Sequence, residues 1–296
     1  MCGIIYAKNL MGNEPVNDIV KIVYQNQRDR GQQGFGFLGV RSRSIDVYRA
    51  VVEKGIMGYL DGRRYSEVLF HHRTPTSTPN TLKSTHPFVI RLGGRSYYFA
   101  HNGIIQNADE LQKYHYEMGI CYESYEGTLF NDSEALAWDF CLWLNNEQDR
   151  MRAMGVSAFV CLETDEKNRA RRLYFYRNSE APLRVYKDRT LLLISSEGNY
   201  PLVKEDRLYF WDYLSGQVFK AGNLKIDCPS VYDVSMIDDD VPDYPDYEVM
   251  LLKELRDLER KRDRLVSIGD YEEAEYIEEE IMDIAYQLKG RHLTQF

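Results

Sequence analysis

Met1-Cys2-Gly3-Ile4-Ile5-Tyr6-Ala7 opens the chain, and its reading decides the fold. Residues 3–7 form a continuous apolar run, a short buried strand that starts at once after a cysteine. Methionine aminopeptidase removes Met1 when the next side chain is small, and cysteine qualifies. Cys2 would then carry a thiol and a free α-amine on one residue. An α-amine ordinarily titrates near pH 8, so a usable fraction is neutral around pH 7. It can take the thiol proton, directly or through a water, and later return it to a leaving amine. That is nucleophilic catalysis with the chain terminus as base, and it requires no His or Asp triad.

Outward from that strand, the spacing of Val16, Ile19, Val20, Ile22 and Val23 predicts a helix over 16–26. Residues 28–34 (RDRGQQG) are polar and glycine-rich, hence a loop. Strands are expected at 35–40, 45–51, 68–71 and 97–100, the last ending at His101-Asn102-Gly103. Leu136, Phe140 and Leu144 predict a helix over 133–144 with Asp132 or Ser133 near its N-cap. Further strands are expected at 157–162, 172–176, 184–186, 190–195 and 231–234. Many strands with a few helices beside them point to an α+β sandwich, not a doubly wound sheet.

The bulk properties are consistent with that class. The chain has 296 residues, 44% hydrophobic and 28% charged, as in an ordinary globular protein with room for one large domain and a small appendage. No apolar run approaches the roughly 20 residues of a membrane span. No basic-then-apolar leader is visible, so a cytoplasmic location is expected. A formal charge of −9 repels phosphate backbones, which argues against nucleic-acid binding. The five cysteines lie apart with no CxxC pair, against a disulfide framework and against a zinc knuckle. Neither a metal nor a cofactor is expected.

Composition shifts near residue 240, where Asp238-Asp239-Asp240-Val241-Pro242-Asp243-Tyr244-Pro245 reads as an acidic linker. Beyond it Leu251, Leu255 and Leu258, then Ala274, Ile277, Ile281, Ile284 and Leu288, recur at helical spacing. Gly269 can end the first helix, and Asp270 with Glu273 suits a capping box for the second. The expected division is a domain over 2–240 and an antiparallel helical hairpin over 246–290. The hairpin's apolar seam serves internal packing, docking or dimerisation, and the sequence leaves these open.

Several segments carry residue types that suit chemistry at Cys2. The Asn102 amide and the Gly103 N–H can converge on a carbonyl oxygen that becomes negative, an oxyanion hole. Arg73, just past a strand end in His71-His72-Arg73-Thr74-Pro75-Thr76, can clamp a carboxylate bidentately. Asp132 can pair with an ammonium group, or simply cap its helix. His86, in Ser84-Thr85-His86-Pro87-Phe88, either lies near the pocket or is a structural histidine.

Together these pieces share an order and a spacing that resembles the class II glutamine amidotransferases, which are N-terminal-nucleophile hydrolases. The matching segments are Met1-Cys2-Gly3-Ile4-Ile5, Arg30-Gly31-Gln32, His71-His72-Arg73 with Pro75-Thr76, His101 to Asn107, and Asn131-Asp132-Ser133-Glu134. Pro182-Leu183 followed by Ser195-Ser196-Glu197 is similar to a later family signature. The resemblance runs over about residues 2–200 and implies a four-layer αββα sandwich. It implies Cys2 as nucleophile on the amide carbon of L-glutamine, with Asn102 and Gly103 holding the oxyanion. It places Arg73 on the α-carboxylate with Thr76 assisting, Asp132 on the α-ammonium, and Arg30 beside the nucleophile. Thr74 stands where relatives tend to have an aromatic residue, and 117–130 does not match.

Relatives usually fuse this domain to a synthase that consumes the ammonia. Only about 50 residues follow the linker here, and no GxxxxGK[ST] phosphate loop is present. The expectation is a glutaminase that passes ammonia to a separate synthase. Two alternatives stay open: an amidase acting alone, and a non-catalytic glutamine-sensing protein signalling through the hairpin.

Overall fold

The structure is a computed structural model that describes residues 2–12, 14–41, 44–75, 78–125 and 129–228, together with 258, 261–262, 265, 273–278 and 281. In chain order the elements are β1 (Gly3–Asn9), α1 (Asn17–Gln27), β2 (Phe35–Arg41), β3 (Ser44–Ala50), α2 (Glu53–Asp61) and β4 (Glu67–His72). They continue with β5 (Phe88–Leu92), β6 (Arg95–Ile105), α3 (Ala108–Glu117), α4 (Asp132–Leu144), β7 (Gly155–Thr164) and β8 (Ala170–Arg177). The last are β9 (Arg184–Lys187), β10 (Leu191–Ser195), β11 (Arg207–Asp212) and β12 (Gln217–Asn223).

The strands form two antiparallel sheets, ordered β3-β2-β4-β1-β10-β9 and β12-β11-β8-β7-β6-β5. Their packing follows from side-chain alternation along each strand. In β1, Ile4 and Tyr6 face inward and meet Ala100, Ala158, Val160 and Leu173 of the second sheet. Ile5 and Ala7 point the other way, onto Val20 and Tyr24 of α1 and near Ile56 and Leu60 of α2. In the second sheet Phe99 and Phe159 turn outward onto Leu136 and Phe140 of α4 and Leu111 of α3. The result is four layers, helix–sheet–sheet–helix. The central strands are covered on both faces, which is why 3–7, 68–70 and 158–162 read as unbroken apolar runs.

Several sequence expectations change. The strand expected over 97–100 continues through Asn102 and Gly103 to Ile105, because Gly103 takes an extended backbone with φ +153° that keeps it paired with Ser157 of β7. Helix α4 is capped by Asn131, whose side chain accepts from the Ser133 N–H at 2.9 Å, and neither Asp132 nor Ser133 is the cap. Helices α2 and α3 and strands β5, β11 and β12 were not anticipated. The strand expected at 231–234, the linker, and the Gly269 and Asp270 caps lie outside the described residues. Of the C-terminal segment, Leu258, Lys261, Arg262, Leu265, 273–278 and Ile281 are helical. No helix among the described residues is long and apolar enough to cross a membrane.

Candidate active site

Two strand ends place the nucleophile candidate. β1 and β4 run antiparallel with Gly3 opposite His72, so Cys2 and Arg73 are the next residues out at the same edge. The close approach needs glycine: a Cβ on Gly3 would sit 2.0 Å from His72 Nε2, and one on Gly31 would sit 2.5 Å from the Arg73 carbonyl carbon. The Cys2 thiol donates to the Thr74 carbonyl at 3.7 Å, and Thr74 Oγ1 donates to the Arg30 carbonyl at 2.9 Å. Arg30 is buried and lies on a 3₁₀ turn after α1. Its Nε donates to the Cys2 carbonyl at 2.8 Å, while Nη1 pairs with Glu197 at 2.9 Å.

The second sheet brings Asn102. Its Nδ2 reaches Ser196 Oγ at 3.5 Å, and the same oxygen accepts the Ile4 N–H at 2.9 Å. Ser196 N in turn donates to the Ile4 carbonyl at 3.0 Å. Ser196 thus ties the start of β1 to the middle of β6. Gly103 follows, and there a side chain has no room: a Cβ would lie 1.9 Å from the Val156 carbonyl oxygen.

Arg73 is buried, with Nη1 donating to the Pro79 carbonyl at 3.0 Å and Nη2 to the Thr78 carbonyl at 3.1 Å and to the Thr78 hydroxyl. Burial lowers its pKa, while the nearby Cys2 and Asp132 raise it. Asp132, freed from capping by Asn131, accepts the Ile105 N–H at 2.8 Å through Oδ2. Burial pushes the Cys2 thiol up, opposed by its Thr74 hydrogen bond and the Arg73 charge, with Asp132 adding to the rise. Cys2, Arg73 and Asp132 are therefore within electrostatic reach of one another.

His86 lies against His71 of β4. It is buried, its ring 3.9 Å from that of His71 and edge-on to Phe88 at 4.8 Å, and neither ring nitrogen has a hydrogen-bond partner. Burial holds it well below the ordinary histidine range, with the charges of neighbouring histidines, Arg73 and Arg49 adding to the fall. Thr76 lies outside the described residues. So Arg30 holds the Cys2 backbone, Arg73 and Asp132 lie within electrostatic reach of its thiol, Asn102 is tied through Ser196 to Ile4 with Gly103 next in the strand, and His86 packs on His71. Sequence reasoning gave no role to Thr74, Thr78 or Ser196, although Ser196 stands within a quoted motif. Among the described residues no group of three or more His, Cys, Asp or Glu side chains is placed to hold a metal ion.

Comparison with known proteins bears on the family and the fold. Residues 61–160 match the family model of the class-II glutamine amidotransferases. No curated protein sequence matches the chain. Among solved structures, glutamine phosphoribosylpyrophosphate amidotransferase from B. subtilis, complexed with ADP and GMP, superposes at TM-score 0.59 and 16% identity over 76% of this chain and 50% of that one. A structure described as the allosteric regulatory enzyme of purine biosynthesis superposes at TM-score 0.58 and 16% identity, over 75% and 49%. At this identity the likeness is one of fold, and the chain spans about half the length of those two proteins. By family model and by fold alike, this chain resembles the class-II glutamine amidotransferases.

Proposed function

We propose that the chain hydrolyses the side-chain amide of L-glutamine to glutamate and ammonia, with Cys2 as nucleophile after removal of Met1. What supports this reading is that Cys2 and Arg73 are the next residues out at the same edge of β1 and β4, with Arg73 and Asp132 both within electrostatic reach of the thiol. Opposite charges at one site suit the head group of a free amino acid, carboxylate toward Arg73 and ammonium toward Asp132.

The thiolate is the attacking form of a cysteine, so the Cys2 thiol needs a base to take its proton. The α-amine of Cys2 takes that proton as sulfur attacks the amide carbon. The carbonyl oxygen becomes an oxyanion held by Asn102 Nδ2 and the Gly103 N–H. The amine then returns the proton to the leaving nitrogen, ammonia departs, and a thioester remains. Water adds to the thioester, giving its proton to the amine, and glutamate leaves with the thiol restored. Arg30 fixes the Cys2 backbone throughout.

The ammonia passes to a separate synthase in this proposal, in the cytoplasm. The reading further divides the chain into a glutaminase domain over 2–240 and a hairpin over 246–290 that docks or dimerises. The Arg262–Glu278 pair at 2.8 Å, between helical residues on either side of 266–272, supports two helices lying against each other. The testing experiment is glutamate release from glutamine by the purified protein, with and without cell extract. Wild type releases glutamate, and Cys2→Ala releases none while keeping its circular dichroism. Release by Cys2→Ala at the wild-type rate would refute the reading.

A further inference from the structure

Leu258, Ile277 and Ile281 bury their side chains in one small cluster with Val51, with Leu265, Val52 and Leu82 packed against it. Tyr276 stacks on Tyr59 of α2 at 5.1 Å, and Tyr59 stacks on Tyr48 of β3 at 4.3 Å. The described C-terminal residues therefore rest on the β3–α2 corner and on the 3₁₀ turn Leu82–Ser84.

Both surfaces lead to the site. The Val51 carbonyl accepts Asn80 Nδ2 at 3.3 Å and the Gly34 N–H at 3.5 Å, and the Gly34 carbonyl accepts the Arg73 N–H at 2.8 Å. The segment containing Leu82 begins with Thr78 and Pro79, whose carbonyls hold the Arg73 guanidinium. On its other side the Ser84 carbonyl accepts Asn131 Nδ2 at 2.9 Å, and Asn131 caps the helix that begins with Asp132. One short segment, 78–85, thus supplies carbonyls to the Arg73 guanidinium and to the Asn131 cap, and the C-terminal cluster packs on it at Leu82.

We infer that Leu258, Ile277 and Ile281 are positioning residues that brace segment 78–85, and through it Arg73 and Asp132, for binding the glutamine head group. This rests on the reading of those two residues as the carboxylate and ammonium partners. The cluster includes neither Cys2 nor Asn102, so bracing is expected to govern substrate affinity and to leave the chemical step alone. A protein that pulled the C-terminal residues off Val51 and Leu82 would weaken glutamine binding without touching Cys2.

The test compares the full-length protein with the double variant Ile277→Ala, Ile281→Ala, and separately with Leu82→Ala, which cuts the same contact from the other side. Two readouts are taken: steady-state glutamate release and amide hydrogen exchange. The expected result is a KM for glutamine raised at least about 5-fold with kcat within about 2-fold. Exchange at the Ser84 and Thr85 amides rises by a similar factor, while β1 and β4 amides keep their protection. If β1 and β4 lose protection in the double variant, the milder Ile277→Val, Ile281→Val pair and Leu82→Ala decide. Unchanged KM and unchanged Ser84 and Thr85 exchange would overturn the inference. A wild-type protein that releases no glutamate refutes the proposed function instead, and the exchange measurement still decides whether the brace exists.

Discussion

Arg30 Nε holds the Cys2 backbone carbonyl at 2.8 Å while its Nη1 reaches Glu197 at 2.9 Å. One guanidinium thereby fixes the residue that carries the thiol. Arg30→Lys keeps a charge but cannot present two donors in a fixed fork. The expected outcome is a fall in kcat/KM of about 10–100-fold, since a misplacement near 1 Å costs on that order. Glu197→Gln changes it little, because a half-exposed ion pair contributes about 0–1 kcal/mol. Steady-state glutamate release on both variants separates the two effects.

Asp132→Asn tests the ammonium partner. Asparagine's oxygen still accepts the Ile105 N–H, so the thermal midpoint stays within a few degrees of wild type. KM for glutamine rises by about 100-fold, the scale of a lost buried charge-assisted contact of about 2–3 kcal/mol. An unchanged KM would remove Asp132 from the substrate site.

Gly103→Ala places a Cβ 1.9 Å from the Val156 oxygen at a backbone φ of +153°. The strain is expected to cost roughly 2–4 kcal/mol in urea unfolding. Glutamate release by the folded fraction falls at least about 100-fold, because the N–H that faces the oxyanion shifts.

How much of this was legible in the sequence depends on the residue. Strands buried on both faces announced themselves, since 3–7 and 158–162 have no polar break. β12 escaped because every one of its residues is at least partly exposed, so no apolar alternation marks it. α2 escaped because Gly55 and Gly58 interrupt its apolar spacing. Asn102-Gly103 reads as a turn by local chemistry and is a strand only because β7 pairs with it. Asn131-Asp132-Ser133 offers three capping residues in a row. Which one caps is decided by tertiary contacts, and that choice leaves the Asp132 carboxylate to the Ile105 N–H. The site residues Thr78 and Ser196 act through a backbone carbonyl and a bridging hydroxyl, and neither role leaves a spacing that sequence alone reveals.

The buried histidines make stability depend on pH. Burial lowers His72 and His101 from 6.5 to about 4, with Arg30 adding to the fall at His72. Between about pH 4 and 6.5 the unfolded chain binds protons that the fold excludes. His72 and His101 therefore take away stability as pH drops through that window, by up to about 3 kcal/mol each. Urea unfolding at pH 7, 5.5 and 4.5 should show this fall, shallower in His101→Asn. A flat profile would contradict it.

The most direct measurement of the central claim is peptide mass spectrometry after incubation with a glutamine analogue bearing an electrophilic side-chain ketone. The account predicts an amino-terminal peptide that begins at Cys2 and carries one adduct. Labelling should be blocked by excess glutamine and weakened by Arg73→Ala. A chain that retains Met1, or an adduct on exposed Cys121 with Cys2 unmodified, would contradict it.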